Sequence, residues 1–358
     1  MGDLIRRVVI KQDEQGQGVV FLDDKVALVK WTGAKAAGAV MWSTAEVPVD
    51  NSDLDLEGHQ RNVGVALNGG SVFRITEFGP DYETPMHRTL SADYCFVLSG
   101  ELELVLDSGQ TVTLRKGDAV VQRGTNHAWR NSGNEPRKIA VCTIEASPVV
   151  IDGQVLRATP LLQMIVASLA IALKPKRKRQ PDAITPDSRH GLLAHGTCVG
   201  TSHDRSGHAV IDRIETSFVP SYVMDGASEI EIWRTATVPP SNNGKPEFRI
   251  PEDGHHLAGG SSVGVLTLAR GGSTGNIHTD SIDYCLILEG EADIELDDDK
   301  QIHLGTGESA VLRGVRHRWW NRGPGQFARV LVFRIASRPK APAPANVRPD
   351  SHASVAIH

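Results

Sequence analysis

Two histidines and an aspartate in the first half of this chain have the residue types and spacing of a metal site: His87, Asp93 shortly after it, and His127 on a later segment. Two imidazoles and one carboxylate bind a divalent ion from one side and leave positions open for substrate and O2. That arrangement suits Fe(II) best and also accepts Mn, Ni or Zn. The second half repeats the set imperfectly. Asp283 and His317 stand at the same offset as Asp93 and His127, but Ile277 takes the place of His87, and the nearest histidine, His278, is one residue out of step.

These side chains can meet only if strands carry them. Alternate residues of a strand share a face, so His87 and Asp93 can both point inward if the stretch between them stays extended. His127, Trp129 and Asn131 share one face, and Cys95 lies on the face of Asp93. A slip of one residue reverses the face, which turns His278 outward unless a bulge corrects it. The expectation is therefore one site at His87, Asp93 and His127, and an incomplete second at His278, Asp283 and His317. Cys95, Trp129, Asn131 and Trp319 are the candidate pocket walls. The plainer alternative is hydrogen-bonded histidines and core-filling tryptophans. No general acid or base stands out beyond the ligands, although Glu83, Arg88 and Tyr94 are close in sequence.

The elements around these residues occur twice. Residues 91–131 (SADYCFVLSGELELVLDSGQTVTLRKGDAVVQRGTNHAWRN) match residues 281–321 (SIDYCLILEGEADIELDDDKQIHLGTGESAVLRGVRHRWWN) without a gap. Shorter matches lie upstream, Trp42 with Trp233 and Gly69-Gly70-Ser71 with Gly259-Gly260-Ser261. A repeat of this length is a duplicated domain and not a solenoid. Alternation of polar and apolar residues, as in ELELVL from Glu101, marks half-buried strands. Frequent Gly and Asp turns between them predict an all-β chain of two jelly-roll barrels. The expected organisation is a first barrel over 1–150, a linker over 151–205, a second barrel over 206–338 and a disordered tail over 339–358. Within the linker, LLQMIVASLAIAL (161–173) predicts an apolar helix, too short to span a bilayer, packed on a barrel or at a dimer interface. A basic run from Lys174 (KPKRKR, 174–179) follows, to be read as a solvated linker or as a nuclear or nucleic-acid signal.

Composition sets the class. At 358 residues, with 40% hydrophobic and 23% charged residues, the chain can bury two ordinary cores. A net charge of −5 offers no overall attraction to nucleic acid or to an anionic membrane. Four scattered cysteines do not make a disulfide framework, so reduced, buried thiols are expected. The charged N-terminus lacks the apolar core of a signal peptide, which points to a cytoplasmic protein, with a nuclear address as the alternative.

The motifs resemble the cupin superfamily. His87 fits the first histidine of its first motif, Asp93 stands where a glutamate is usual, and Gly100 closes that motif. Gly117, Gly124, His127 and Asn131 fit the second motif with one residue deleted. More narrowly, the chain is similar to small single-cupin proteins with the patterns HRTxSxDY and GDxVVQRGTxHAWxN. The position of the superfamily's second histidine is Thr89 here, so one usual ligand is missing. The resemblance implies a bicupin: a metal-dependent enzyme (dioxygenase, decarboxylase or isomerase) acting on a small organic molecule in secondary metabolism or catabolism. The alternative is a non-catalytic barrel pair that binds a small ligand or serves structure. It also implies pairing of the two barrels within the chain, and leaves a homodimer open.

Overall fold

A computed structural model describes residues 4–52, 56–172, 183–184, 196–220, 222–243 and 259–338. Their regular structure is almost all strand, and the one helix among the described residues is Leu161–Ala172. The basic run at 174–179 and the tail at 339–358 lie outside the described residues. Among the described residues no helix is long and apolar enough to cross a membrane.

Each repeat folds as a jelly-roll barrel of a large and a small sheet. In the first, Ser91–Val97 lies between Ala119–Arg123 and Arg137–Glu145, and Ser71–Phe78 and Ala36–Thr44 follow outward. Its small sheet orders Tyr82–Glu83, His127–Asn131, Glu101–Leu106 and Thr111–Arg115. In the second barrel Ser281–Glu289 takes the central place between Ser309–Arg313 and Phe327–Ala336, followed by Ser261–Ala269 and Ala227–Thr235. The turns are those the glycines foretold. Gly100 sits at φ 63°, where L-residues are disfavoured, and a Cβ there would meet the Arg137 side chain at 2.2 Å.

The sheets do not keep to the halves of the sequence. The N-terminal hairpin, Leu4–Gln12 with Gly18–Ala27, joins the second barrel, where Arg7 to Ile10 pair in parallel with Ser309 to Leu312. The corresponding hairpin of the second repeat, Cys198–His203 with Ala209–Glu215, joins the first barrel, where Cys198 to Gly200 pair in parallel with Ala119 to Val121. The strands thus run across the boundaries expected at 150 and 206. Each barrel's large sheet is completed by a hairpin from the other repeat.

The exchange follows a pseudo-twofold relation that the side chains repeat. Ser71 Oγ shares a hydrogen bond with Tyr284 Oη at 2.8 Å, and Ser261 Oγ does the same with Tyr94 Oη at 2.7 Å. Asn51 Nδ2 donates to the Ser281 carbonyl at 2.9 Å, and Asn242 Nδ2 to the Ser91 carbonyl at 3.0 Å. Between the barrels lies one apolar cluster drawn from both repeats, with Trp42, Phe73 and Phe96 against Tyr284, Leu331 and Phe333. Phe73 stacks on Tyr284 at 5.3 Å. Each such fully buried side chain contributes about 1.5–3 kcal/mol relative to exposure, so the joint between barrels is part of the core.

All four cysteines are free and buried, as the sequence led one to expect. Burial pushes the Cys95, Cys142 and Cys285 thiols well above their ordinary range, which makes them poor nucleophiles.

Candidate functional site

The first barrel encloses a cavity of about 650 Å³. His87 and His127 face each other on its wall. Their backbones pair, each N–H donating to the other's carbonyl at 2.9 Å, and the rings lie 4.3 Å apart at 52°. The His87 Nδ1 donates to the Pro85 carbonyl at 2.8 Å and the His127 Nδ1 to the Thr125 carbonyl at 3.0 Å. A carbonyl only accepts, so Nδ1 carries the hydrogen and Nε2 of each ring is the nitrogen with a lone pair. Burial lowers the pKa of both histidines. The effect is larger at His127, where His87 adds to it. The pair is neutral near pH 7.

The expected triad does not assemble. Asp93 lines the same cavity, but its carboxylate accepts from Ser91 Oγ at 2.5 Å and Thr89 Oγ1 at 3.2 Å. Among the described residues no three His, Cys, Asp or Glu side chains converge closely enough to hold a metal. Sequence spacing puts Asp93 on the correct face, and two local hydroxyls then bind the shorter carboxylate. Burial pushes its pKa up to about 6, against the pull of those hydroxyls and of Arg74. Both imidazoles and the Asp93 carboxylate border one cavity, while no three ligating side chains converge on a point among the described residues.

The remaining expected residues divide. Cys95 and Trp129 line the cavity, with Trp129 stacked on Phe78 at 6.1 Å. Asn131 does not line it. Its Nδ2 donates to the carbonyls of Phe78, Gly79 and Glu135 and its Oδ1 accepts from Gly133 N–H, so it fastens a turn at the strand's end. Glu83 pairs with Arg130 at 2.6 Å, Tyr94 is engaged at the joint between barrels, and Arg88 donates to the Gly124 carbonyl. None of these three enters the cavity lining.

Several lining residues carried no signal in the first half's motifs. Arg74, Gln122 and Thr143 project from three strands on the same face as Asp93, and Met164, Ile165 and Ser168 of the helix Leu161–Ala172 form part of the wall. The helix packs on the first barrel, one of the two placements its composition allowed. A charged residue in the otherwise apolar strand SVFRITEF was the available hint for Arg74.

The second barrel carries a buried ion-pair cluster at places where the first has small residues. Strand pairing sets Glu229 opposite Leu266 as Gly38 is set opposite Thr76, and Arg334 opposite Asp283 as Thr143 is set opposite Asp93. Arg334 grips Glu229 through both oxygens, its Nη2 donating to Oε2 at 3.0 Å and its Nη1 closer still to Oε1. Its Nε lies 3.7 Å from Asp283 Oδ2. Asp283, the candidate ligand, is thus committed to Arg334 and to Ser281 Oγ. His278 is exposed, and it is Ile277 whose backbone pairs with His317. The outward turn follows from the one-residue slip, since no bulge corrects it. His317 remains buried with Nδ1 on the Val315 carbonyl. Trp319 belongs to the second barrel's core cluster. The second ligand set is therefore not brought together.

Comparison with known proteins agrees with this architecture. A family model described as "Cupin domain" matches residues 74–144 and again 264–333. A phomopsin biosynthesis cluster protein of Diaporthe leptostromiformis is 51% identical over 94 residues, 26% of this chain and 50% of that protein, so the chain spans about half the length of that relative. A protein of Hypocrea virens named a cupin-domain-containing oxidoreductase is 35% identical over 152 residues, 41% of this chain and 78% of that protein. Among solved structures, a putative glyoxylate induced protein from Pseudomonas aeruginosa aligns over 89% of this chain and 86% of its own, with 13% identity and a TM-score of 0.48. With one cupin domain matched in each repeat and most of a cupin relative covered, this chain belongs to the cupin superfamily and is a bicupin.

Proposed function

We propose that the first barrel is the reaction chamber of an enzyme acting on a small, largely apolar organic molecule in secondary metabolism, and that the second barrel is its structural partner. The contrast between the two copies of one fold carries this reading. One copy encloses a cavity of about 650 Å³ with two neutral imidazoles on its wall, and the other carries the Arg334–Glu229 ion pair at the equivalents of Thr143 and Gly38. The size and the mixture of aromatic walls with a few polar groups are those of a small-molecule site. The names of the relatives, biosynthesis cluster proteins and oxidoreductases, support the setting.

In this reading Trp31, Phe78, Trp129 and Ile165 hold the apolar body of the substrate, and the helix excludes water. The Nε2 atoms of His87 and His127 can accept a proton from a group held against them. Because each imidazolium disfavours the other, the pair takes up one proton at a time. The test is the full-length protein carrying His127→Ala, placed in the native host. A small-molecule precursor should accumulate in the metabolite profile, and an unchanged profile would count against an enzyme.

A metal-assisted form is favoured by one observation: with each Nδ1 on a backbone carbonyl, the Nε2 of both facing rings carries the lone pair. A divalent ion, Fe(II) foremost, would find two ligands there and would supply Lewis acidity or oxygen chemistry. Elemental analysis of the purified chain is expected to show about one divalent ion per chain, lost in His87→Ala or His127→Ala, each of which removes one of the two imidazoles, and kept in His317→Ala. Metal retained in both first-barrel variants would place the ion elsewhere.

A further inference from the structure

The polar end of the first cavity gathers buried hydrogen-bonding groups, two of them without a partner. Arg74 is buried, and its guanidinium donates to the carbonyls of Gly64 and Val65 with its plane over the Trp31 ring at 5.9 Å. No carboxylate among the described residues forms an ion pair with it, and only the more distant field of Asp93 reaches it. Beside it, Gln122 Nε2 and Thr143 Oγ1 are buried and have no hydrogen-bond partner. Strand pairing explains why they converge. Gln122 and Thr143 flank Asp93 from the two neighbouring strands, and Arg74 sits one strand further, opposite Val141.

A buried guanidinium and two buried, unanswered donors are costly features. Each unpaired polar atom has given up water without a replacement partner, and a buried cation asks for an anion. The second barrel shows how the same fold answers the demand from within. There the arginine, Arg334, is neutralised by Glu229, whose carboxylate lies 2.9 Å from where a Cβ on Gly264 would stand. Gly264 is the equivalent of Arg74, and Glu229 of Gly38. Leu312 takes the place of Gln122. Thus the second barrel carries its own carboxylate and a leucine at the place of Gln122, while the first has the donors, and a glycine where the carboxylate would be anchored.

We propose that the ligand of the first barrel bears a carboxylate, received by Arg74, Gln122 and Thr143, with its apolar body lying along the aromatic wall towards His87 and His127. Asp93 does not compete for these donors, because its oxygens are held by Ser91 and Thr89. Arginine suits the task, since its planar fork matches the two oxygens of a carboxylate. This inference rests on the first barrel being a ligand chamber and adds the chemical class of the ligand.

The test is calorimetric and thermal-shift binding to the full chain of three matched pairs of probes, cinnamate, 3-phenylpropionate and decanoate, each against its primary amide. The acids are expected to bind about tenfold or more tighter than the amides, as a charge-assisted pair should. Arg74→Gln should abolish that preference. Thr143→Val and Gln122→Leu should weaken acid binding severalfold while leaving Tm unchanged or raised, because each removes an unpaired buried polar atom. That opposition of binding and stability is not expected of a merely structural residue, and it holds even if Arg74→Gln does not fold. Equal binding of acids and amides, or an acid preference that survives Arg74→Gln, overturns the carboxylate assignment and leaves the chamber standing. If no probe of either kind binds, the chamber reading and this inference fall together.

Discussion

Residues 1–150 expressed alone should give a homodimer or an insoluble fragment, and not a stable monomer. In the whole chain the hairpin Leu4–Gln12 and Gly18–Ala27 has its home in the second barrel, where Val8 and Ile10 join that barrel's core. Cut at 150, the hairpin has no barrel to enter, and the strand Ala119–Arg123 loses Cys198–His203 from its edge. The fragment would also expose Trp42, Phe73, Tyr94 and Phe96, now covered by the second repeat. An open edge beside a broad apolar face drives association. Two copies can satisfy each other by exchanging hairpins about a twofold axis, as the repeats already do. Light scattering coupled to size exclusion reads the mass. A soluble, cooperatively folding monomer would show that the exchange is dispensable.

Arg334→Ala is expected to destabilise the protein by about 3–5 kcal/mol, the range for breaking a buried ion pair from one side. The substitution leaves Glu229 and Asp283 buried without their shared cation. Glu229→Gly with Arg334→Thr, which installs the residues found at the equivalent places of the first barrel, removes both charges together and should cost markedly less than Arg334→Ala alone. Chemical denaturation of the three proteins decides the matter. If the double variant loses as much as the single one, the ion pair is not what supports the second barrel.

Much of this protein is legible along the chain. Constant spacing between the copies revealed the duplication, and period-two alternation with Gly and Asp turns revealed strands, because both depend on near neighbours. The facing of His87 and His127 followed from alternation, as did the outward turn of His278, since each is a matter of parity along one strand. What parity cannot report is which groups lie within reach once a face is fixed. Asp93 is on the expected face and lines the cavity with the histidines, yet its carboxylate accepts from Ser91 and Thr89, partners that parity does not report. Asn131 keeps its motif position but spends its amide on three backbone carbonyls at a turn.

The tertiary structure alone decided the rest. Parallel pairing of Leu4–Gln12 with Ser309–Arg313, and of Cys198–His203 with Ala119–Arg123, joins segments far apart in sequence through backbone groups that every residue carries. No local pattern can announce it. Arg74, Gln122 and Thr143 come from three strands and meet only when the sheet curls into a barrel. Glu229 and Arg334 likewise read as ordinary charges until closure buries them against each other. The amino-acid sequence determined two barrels and a histidine pair by short-range periodicity. Long-range closure determined which charges meet inside each barrel, because burial makes an unpaired charge costly.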